Sequence, residues 1–427
     1  MFLYTAYNFA CYKLKYGENP DYSTYEKVIL IDAFCSGDLG GIYTLAKDVI
    51  REMAQKRPNW KFIIMHKEDA TAWQNIKNSE NIDSFHVRVN SVAVAWFGFI
   101  CNSFLMEKIR ELIMALPENI RVSLGKLKFL FLYFRWLPKI DLFFDPITTY
   151  NFNDFYLPRV SVIHDLFHHD FPRLSSRPEA YESQTEAVAR YSDEIITISN
   201  FSKGRILGIL NVDENKVHMI HTQFSKRLHK IIKNYSDILK KYGLKKDEYI
   251  VFPSASWPQK NHRRLIKAFL RYLKSGNSKL KLVLMGSIVD SDKAMLANNF
   301  KGRIIATGFV DNDTFQAIME NALAMIHPSI YEGFGMTVLE GMNAGIPVAA
   351  GRVASVPEVA GDAVLYFDPY DIDDICRAIQ EITSNQQLRK TLVEKGKKRV
   401  EKFSHKDEMI NEYIRVIESV MERQKTH

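Results

Sequence analysis

Cysteine is scarce in this chain. Its 427 residues hold four, Cys11, Cys35, Cys101 and Cys376, far apart and with no C-x-x-C pair. That spacing suits neither a zinc site nor a disulfide framework, and fits the reduced thiols of a cytosolic protein. Long apolar runs are missing too. The longest, Val92 to Met106, carries Asn102 and Ser103 and falls short of the roughly 20 residues a membrane-spanning helix needs. The first residues are aromatic but lack a basic lead, a sustained apolar core and a small-residue cleavage site, so a cytoplasmic protein is expected. Internal repeats and low-complexity tracts are absent. The G-x-G-x-x-G fingerprint is absent as well, which argues against a nicotinamide cofactor. Positive charge, a net +7, is spread rather than gathered into a long tract, and no nucleic-acid-binding module is recognisable. It leaves a mild bias toward acidic partners such as nucleotide phosphates or anionic lipid surfaces.

What is present is an alternation of apolar, β-branched runs with helical stretches. Lys27 to Phe34 (KVILIDAF) has the character of a strand buried on both faces. The glycine turn Ser36 to Gly41 follows, then helical periodicity from Ile42 to Gln55, a βα unit that opens a doubly wound domain. Strands are expected at Lys61 to Met65, Asp141 to Phe144, Val160 to Ile163 and Asp193 to Ile198. A basic, aperiodic stretch from Phe224 to Asn234 reads as a linker. A second series follows: Tyr249 to Phe252, a helix Arg263 to Ser275, Leu280 to Met285, Ile304 to Ala306, Ala324 to His327 and Pro347 to Ala350. The fold class is therefore α/β, with two facing Rossmann-like domains and a ligand cleft at the carboxyl ends of their strands. The expected division is 1–232, with 1–26 as an extension of no assigned role, then 233–405, and a C-terminal helix 406–427 packing back on the first domain.

The stretch Ala324 to Gly351 (AMIHPSIYEGFGMTVLEGMNAGIPVAAG) carries the chemistry. A strand runs into a turn with Glu332, Gly333 and Gly335, and a helix starts near Thr337. Glycines let the backbone approach a ligand closely. The helix N-terminus offers unpaired N–H groups and a dipole suited to a pyrophosphate. Glu332 would accept hydrogen bonds from sugar hydroxyls in the cleft, and Glu340, deeper in the helix, would bind two ribose hydroxyls at once. Thr337-x-x-Glu340 also has the form of a capping box, which would make Glu340 a structural residue.

Two glutamates eight positions apart within EGFG-x-x-x-LE-x-M-x-x-G-x-P-V resemble the signature of glycosyltransferase family 4, a large retaining family with the GT-B fold. SVPEVAGDAVLYFDP, downstream of Gly351, resembles the family's downstream strand and loop. The resemblance implies that Glu340 binds the donor ribose, that Glu332 contacts the donor sugar, and that the amides of Gly333, Phe334, Gly335, Met336 and Thr337 face sugar and phosphate. In PSASWPQKNH (Pro253 to His262), Lys260 would counter the diphosphate's charge, with Asn261 beside it. Many members carry an arginine five residues earlier, where this chain has Ala255. The W-P-x-K-N-H form resembles bacterial polysaccharide mannosyltransferases. Gly40 and Gly41 match the N-terminal glycine loop that contacts donor phosphates. His164 matches a histidine near the reacting centre, and the Ser199 to Lys203 loop, through Ser199 and Lys203, an acceptor contact.

The implied activity is transfer of a hexose, mannose favoured, from a nucleoside-diphosphate sugar (GDP-mannose first, a UDP-sugar second) to a glycan or polyprenyl-linked acceptor in cell-surface polysaccharide synthesis. Alternatives are a GT-B epimerase or phosphorylase, or a non-catalytic nucleotide-sugar-binding subunit. No obligatory metal or other cofactor is expected. His164, His168 and His169 match no ligand spacing, and Asp311-Asn312-Asp313 reads as a helix cap. Residues 121–139 mix cations with aromatics, either as a peripheral contact with the inner face of the membrane or as a buried element with snorkelling lysines.

Overall fold

The computed structural model describes residues 22–33, 41–67, 76, 80–87, 140–148, 157–175, 177–223, 235–276, 279–289 and 302–423. The apolar runs form two sheets of parallel strands. The first contains β1 (Lys27–Ala33), β2 (Trp60–Lys67), β3 (Ile82–Val87), β4 (Leu142–Asp145), β5 (Arg159–Val162), β6 (Glu194–Thr197) and β7 (Val217–Met219), in the order β3-β2-β1-β4-β5-β6-β7. The second contains β8 (Tyr249–Pro253), β9 (Lys281–Met285), β10 (Ile304–Gly308), β11 (Ala324–His327), β12 (Val348–Gly351) and β13 (Leu365–Phe367), in the order β10-β9-β8-β11-β12-β13. The expected strands are all present, with ends moved by two residues at most. The short edge strands β3 and β7 have too little apolar sequence to stand out.

Each sheet is covered on both faces, which is why its strands read as continuous apolar runs. On the first, α1 (Gly41–Lys56) packs on one face; α2 (Phe167–Asp170), α3 (Pro178–Tyr191) and α4 (Asn200–Ile209) follow, and the last two cover the other. On the second, α5 (Tyr235–Lys241) leads in. The helix α6 (His262–Lys274) buries Leu265, Ile266 and Phe269 at helical spacing. Then come α7 (Asn312–Glu320), α8 (Met336–Asn343), α9 (Val356–Ala360), α10 (Ile372–Ser384), α11 (Gln386–Glu401) and α12 (Lys406–Arg423).

In both sheets the strand order reverses beside the first strand, between β1 and β4 and between β8 and β11. Such a switch point opens a crevice outside the carboxyl ends of the strands. The helical tail is broken between α11 and α12. There Phe403 is buried in the core of the second sheet, and the His405 amide donates to the Gln223 side chain at 3.0 Å, sending the chain back to the first sheet. The helix α12 lays Met409, Ile410, Tyr413, Ile414, Ile417, Val420 and Met421 into the core that also holds Ile29, Ile31, Phe62 and Phe144.

Residues 1–21, Gly40 with its loop 34–40, the linker 224–234 and the 121–139 segment lie outside the described residues. Gly41 is the first residue of α1.

Candidate active site

The two loops leaving the strands at the second switch point meet. Lys260 ends the loop after β8, and Glu332 stands in the loop after β11. Lys260 Nζ donates to Glu332 Oε1 at 2.7 Å, with both side chains largely buried. His327, the last residue of β11 and fully buried, brings Nε2 to within 3.1 Å of the same oxygen. Burial by itself would raise the Glu332 carboxyl, but the Lys260 ammonium and the His327 ring outweigh it and hold the group well below the usual carboxylate range. Glu332 is therefore ionised under all ordinary conditions. Its main-chain carbonyl accepts a hydrogen bond from Ser355 Oγ at 2.8 Å, which fixes the loop from behind.

Gly335 is the N-cap of α8, with φ of 100° and no side-chain cap. Only a residue without Cβ takes this conformation at little cost. The helix starts at Met336, so Thr337 lies inside it and the Thr337-x-x-Glu340 capping box is not formed. The N–H groups of Met336 and Thr337 face the head of the helix, while that of Val338 donates to the Gly335 carbonyl at 2.9 Å. Phe334 is buried in the core against Phe403 and His221, and Met336 packs on the same cluster. Only their main chains are left to contribute to binding. Glu340 lies one turn into α8, partly buried.

The first sheet supplies the opposite wall. His164, just after β5, is 5% exposed; its Nε2 donates to the Pro146 carbonyl at 2.9 Å, and Nδ1 has no partner among the described residues. Burial lowers its pKa, opposed by the Pro146 hydrogen bond and the carboxylates of Asp165 and Asp145. The ring is thus neutral, with Nδ1 a buried acceptor that no described residue uses. Gly333 fits directly on this wall: a Cβ there would come within 2.9 Å of Asp165 Oδ2 and 3.0 Å of the His164 carbonyl.

Several expected site residues have other duties. Ser199 is fully buried and caps α4; its Oγ also donates to the Gly333 carbonyl at 2.7 Å, and Ser202 Oγ to the His164 carbonyl at 3.0 Å. Lys203 Nζ lies 3.6 Å from Glu214 Oε1. Ser199 and Ser202 thus place the 199–203 loop at the seam between the sheets. Asn261, in a left-handed conformation with φ of 60°, donates to the carbonyls of Pro328 at 2.9 Å and Pro369 at 2.7 Å. It ties three strand ends together, and its buried amide is occupied by the protein. His168 and His169 bond Ser175 and Thr185, and Asp311 caps α7 through Thr314.

Other residues at the seam carry no obvious signal in the sequence. Glu358 of α9 accepts from the amides of Asn200 and Phe201 at 2.8 and 3.1 Å and from His221 Nε2 at 2.7 Å. Tyr331 packs its ring on Phe167, Phe171 and Phe201. Only the position of His327 at a strand's carboxyl end could have drawn notice.

Comparison with known proteins agrees with this arrangement. Residues 234–399 match Glycosyl transferases group 1. The chain is 27% identical over 269 residues to O-antigen chain mannosyltransferase B of Escherichia coli, covering 60% of this chain and 70% of that protein. It is 25% identical over 236 residues to MMP α-(1→4)-mannosyltransferase of Mycolicibacterium hassiacum, covering 54% of this chain and 55% of that one. In fold it resembles HepE of Anabaena, solved with UDP and glucose, at a TM-score of 0.66 and 15% identity over 92% of this chain and all of that one. Residues 234–399 thus carry a group 1 glycosyl transferase domain within a GT-B pair of Rossmann-like sheets, and the chain is a glycosyltransferase.

Proposed function

We propose that the chain moves a hexose, mannose by preference, from a nucleoside-diphosphate sugar to a hydroxyl of a glycan or lipid-linked acceptor, with retention of anomeric configuration. The observation that carries this is the Lys260–Glu332 pair at the β8/β11 switch point, beside the open head of α8 and opposite His164. The anomeric C–O bond to the diphosphate breaks and a C–O bond to the acceptor forms. The acceptor's proton leaves with the diphosphate. Lys260 and the α8 N-terminus stabilise the charge gathering on that leaving group, an electrostatic contribution expected to dominate. Glu332 and His164 Nδ1 accept hydrogen bonds from sugar hydroxyls, and Glu340 takes the ribose. Residues 233–405 form the donor side and residues 1–232 the acceptor side. The mannosyltransferase relatives support mannose, with GDP-mannose as the donor, over the epimerase, phosphorylase or binding-subunit alternatives.

A thermal-shift screen over GDP-mannose, UDP-glucose and ADP-glucose tests the donor. The true one stabilises the fold by mass action, by about 2.7 kcal/mol at one hundred times Kd, and so raises the melting temperature. No shift with GDP-mannose beside a clear shift with another donor would overturn the mannose assignment. Retention is checked by the anomeric configuration of the product.

A further inference from the structure

We infer that His327 is a positioning residue of this glycosyltransferase, holding the Glu332 carboxylate toward the donor sugar once Lys260 is drawn to the diphosphate. The inference rests on the proposed roles of Glu332 and Lys260. His327 is 0% exposed, and Phe252 lies edge-on to its ring at 5.6 Å. Its ring nitrogens complete no hydrogen bond among the described residues; Glu332 Oε1 lies 3.1 Å from Nε2, out of line for a full one. Lys260 holds the same oxygen at 2.7 Å. Both donors thus converge on Oε1, while Oε2 takes no protein hydrogen bond among the described residues.

That division gives each partner a task. Lys260 sits on a loop with a long side chain and can be pulled toward an arriving diphosphate. His327 belongs to a central strand, has a short rigid ring and cannot follow. When the ammonium moves, a largely buried carboxylate would lose its partner, an arrangement that is strongly unfavourable unless another donor takes over. With its proton on Nε2, His327 is that donor, and a contact bent while Lys260 shares Oε1 can straighten once the ammonium moves. Oε1 stays fixed from behind and Oε2 remains for a sugar hydroxyl.

The test is a double-mutant cycle between His327→Phe and Glu332→Gln. Turnover is measured with GDP-mannose, or with whichever screened donor the wild type uses, and GDP or the matching nucleoside diphosphate serves as a binding probe. His327→Phe keeps a flat ring in the apolar niche but removes the donor. It is expected to lower kcat about tenfold with diphosphate affinity unchanged, and to lower it less than twofold further when Glu332 is already Gln. His327→Gln, which keeps an N–H donor, should recover part of the loss and covers the case of a Phe variant that folds poorly. Wild-type kcat in His327→Phe, or the same loss in both Glu332 backgrounds, overturns the positioning role alone. Wild-type kcat in Glu332→Gln overturns the site assignment on which it rests.

Discussion

At the scale of single residues, Lys260 and Glu332 are the sharpest test. Removing one electrostatic stabiliser of a developing charge costs on the order of a hundredfold in rate. Lys260→Ala and Glu332→Ala should each lose about that much kcat, with melting temperatures within a few degrees of wild type. Near-normal turnover in both would remove the site. Gly333→Ala should act differently. Its Cβ would meet Asp165 and the His164 main chain at about 3 Å, overpacking that costs about 1–3 kcal/mol and pushes the donor loop off the His164 wall. Lower stability and lower turnover together are expected. Lys260, Glu332 and His164 were legible because each follows a strand in a glycine-, proline- or histidine-marked loop. His327 and Glu358 were not: His327 closes the apolar run of β11, and the partners of Glu358 are distant in sequence. The structural part of Asn261 was hidden because its left-handed backbone and two buried carbonyl partners exist only after three strand ends have come together.

At the scale of elements, α4 is capped twice, by its own Ser199 and by Glu358 from α9 of the other sheet. A carboxylate at a helix N-terminus is favourable by charge and by hydrogen bonding. Burial opposes it, yet His221 and the Asn200 and Phe201 amides hold the Glu358 carboxyl at about 2 against an ordinary 4.5. A depressed carboxyl stabilises the fold above its unfolded value and loses that contribution as pH falls through the folded one. Glu358→Gln should therefore melt several degrees below wild type at pH 6, on the order of 2 kcal/mol after solvent screening. The gap should narrow from pH 4.5 downward; a gap constant with pH would rule out the carboxylate's charge as its cause. The elements themselves were largely legible, because strands covered on both faces announce themselves as apolar runs. A separate last helix from 406 was expected too, but not the contacts that turn the chain there, Phe403 in the second core and His405 on Gln223.

At the scale of the whole molecule, α12 joins what the sequence separates, completing the first sheet's core from the far end of the chain. Two kinds of contact hold it there. Lys406 pairs with Glu52 at 2.6 Å and Arg57 with Glu418 at 2.9 Å, each partly exposed. Ile410 and Ile417 are wholly buried. Partly exposed ion pairs contribute about 0–1 kcal/mol each, whereas cutting a buried isoleucine to alanine costs about 2–5 kcal/mol. The apolar face should dominate. Glu52→Gln combined with Glu418→Gln is expected to lower the melting temperature by only a few degrees, and less at high salt. Ile410→Ala combined with Ile417→Ala is expected to lower it far more, with little dependence on salt. The same double substitution should open the first sheet to limited proteolysis while the second, whose core contains neither residue, stays protected. Equal losses from the charge and apolar pairs would mean that α12 is held by its ion pairs, and that the face it buries contributes little to joining the two halves.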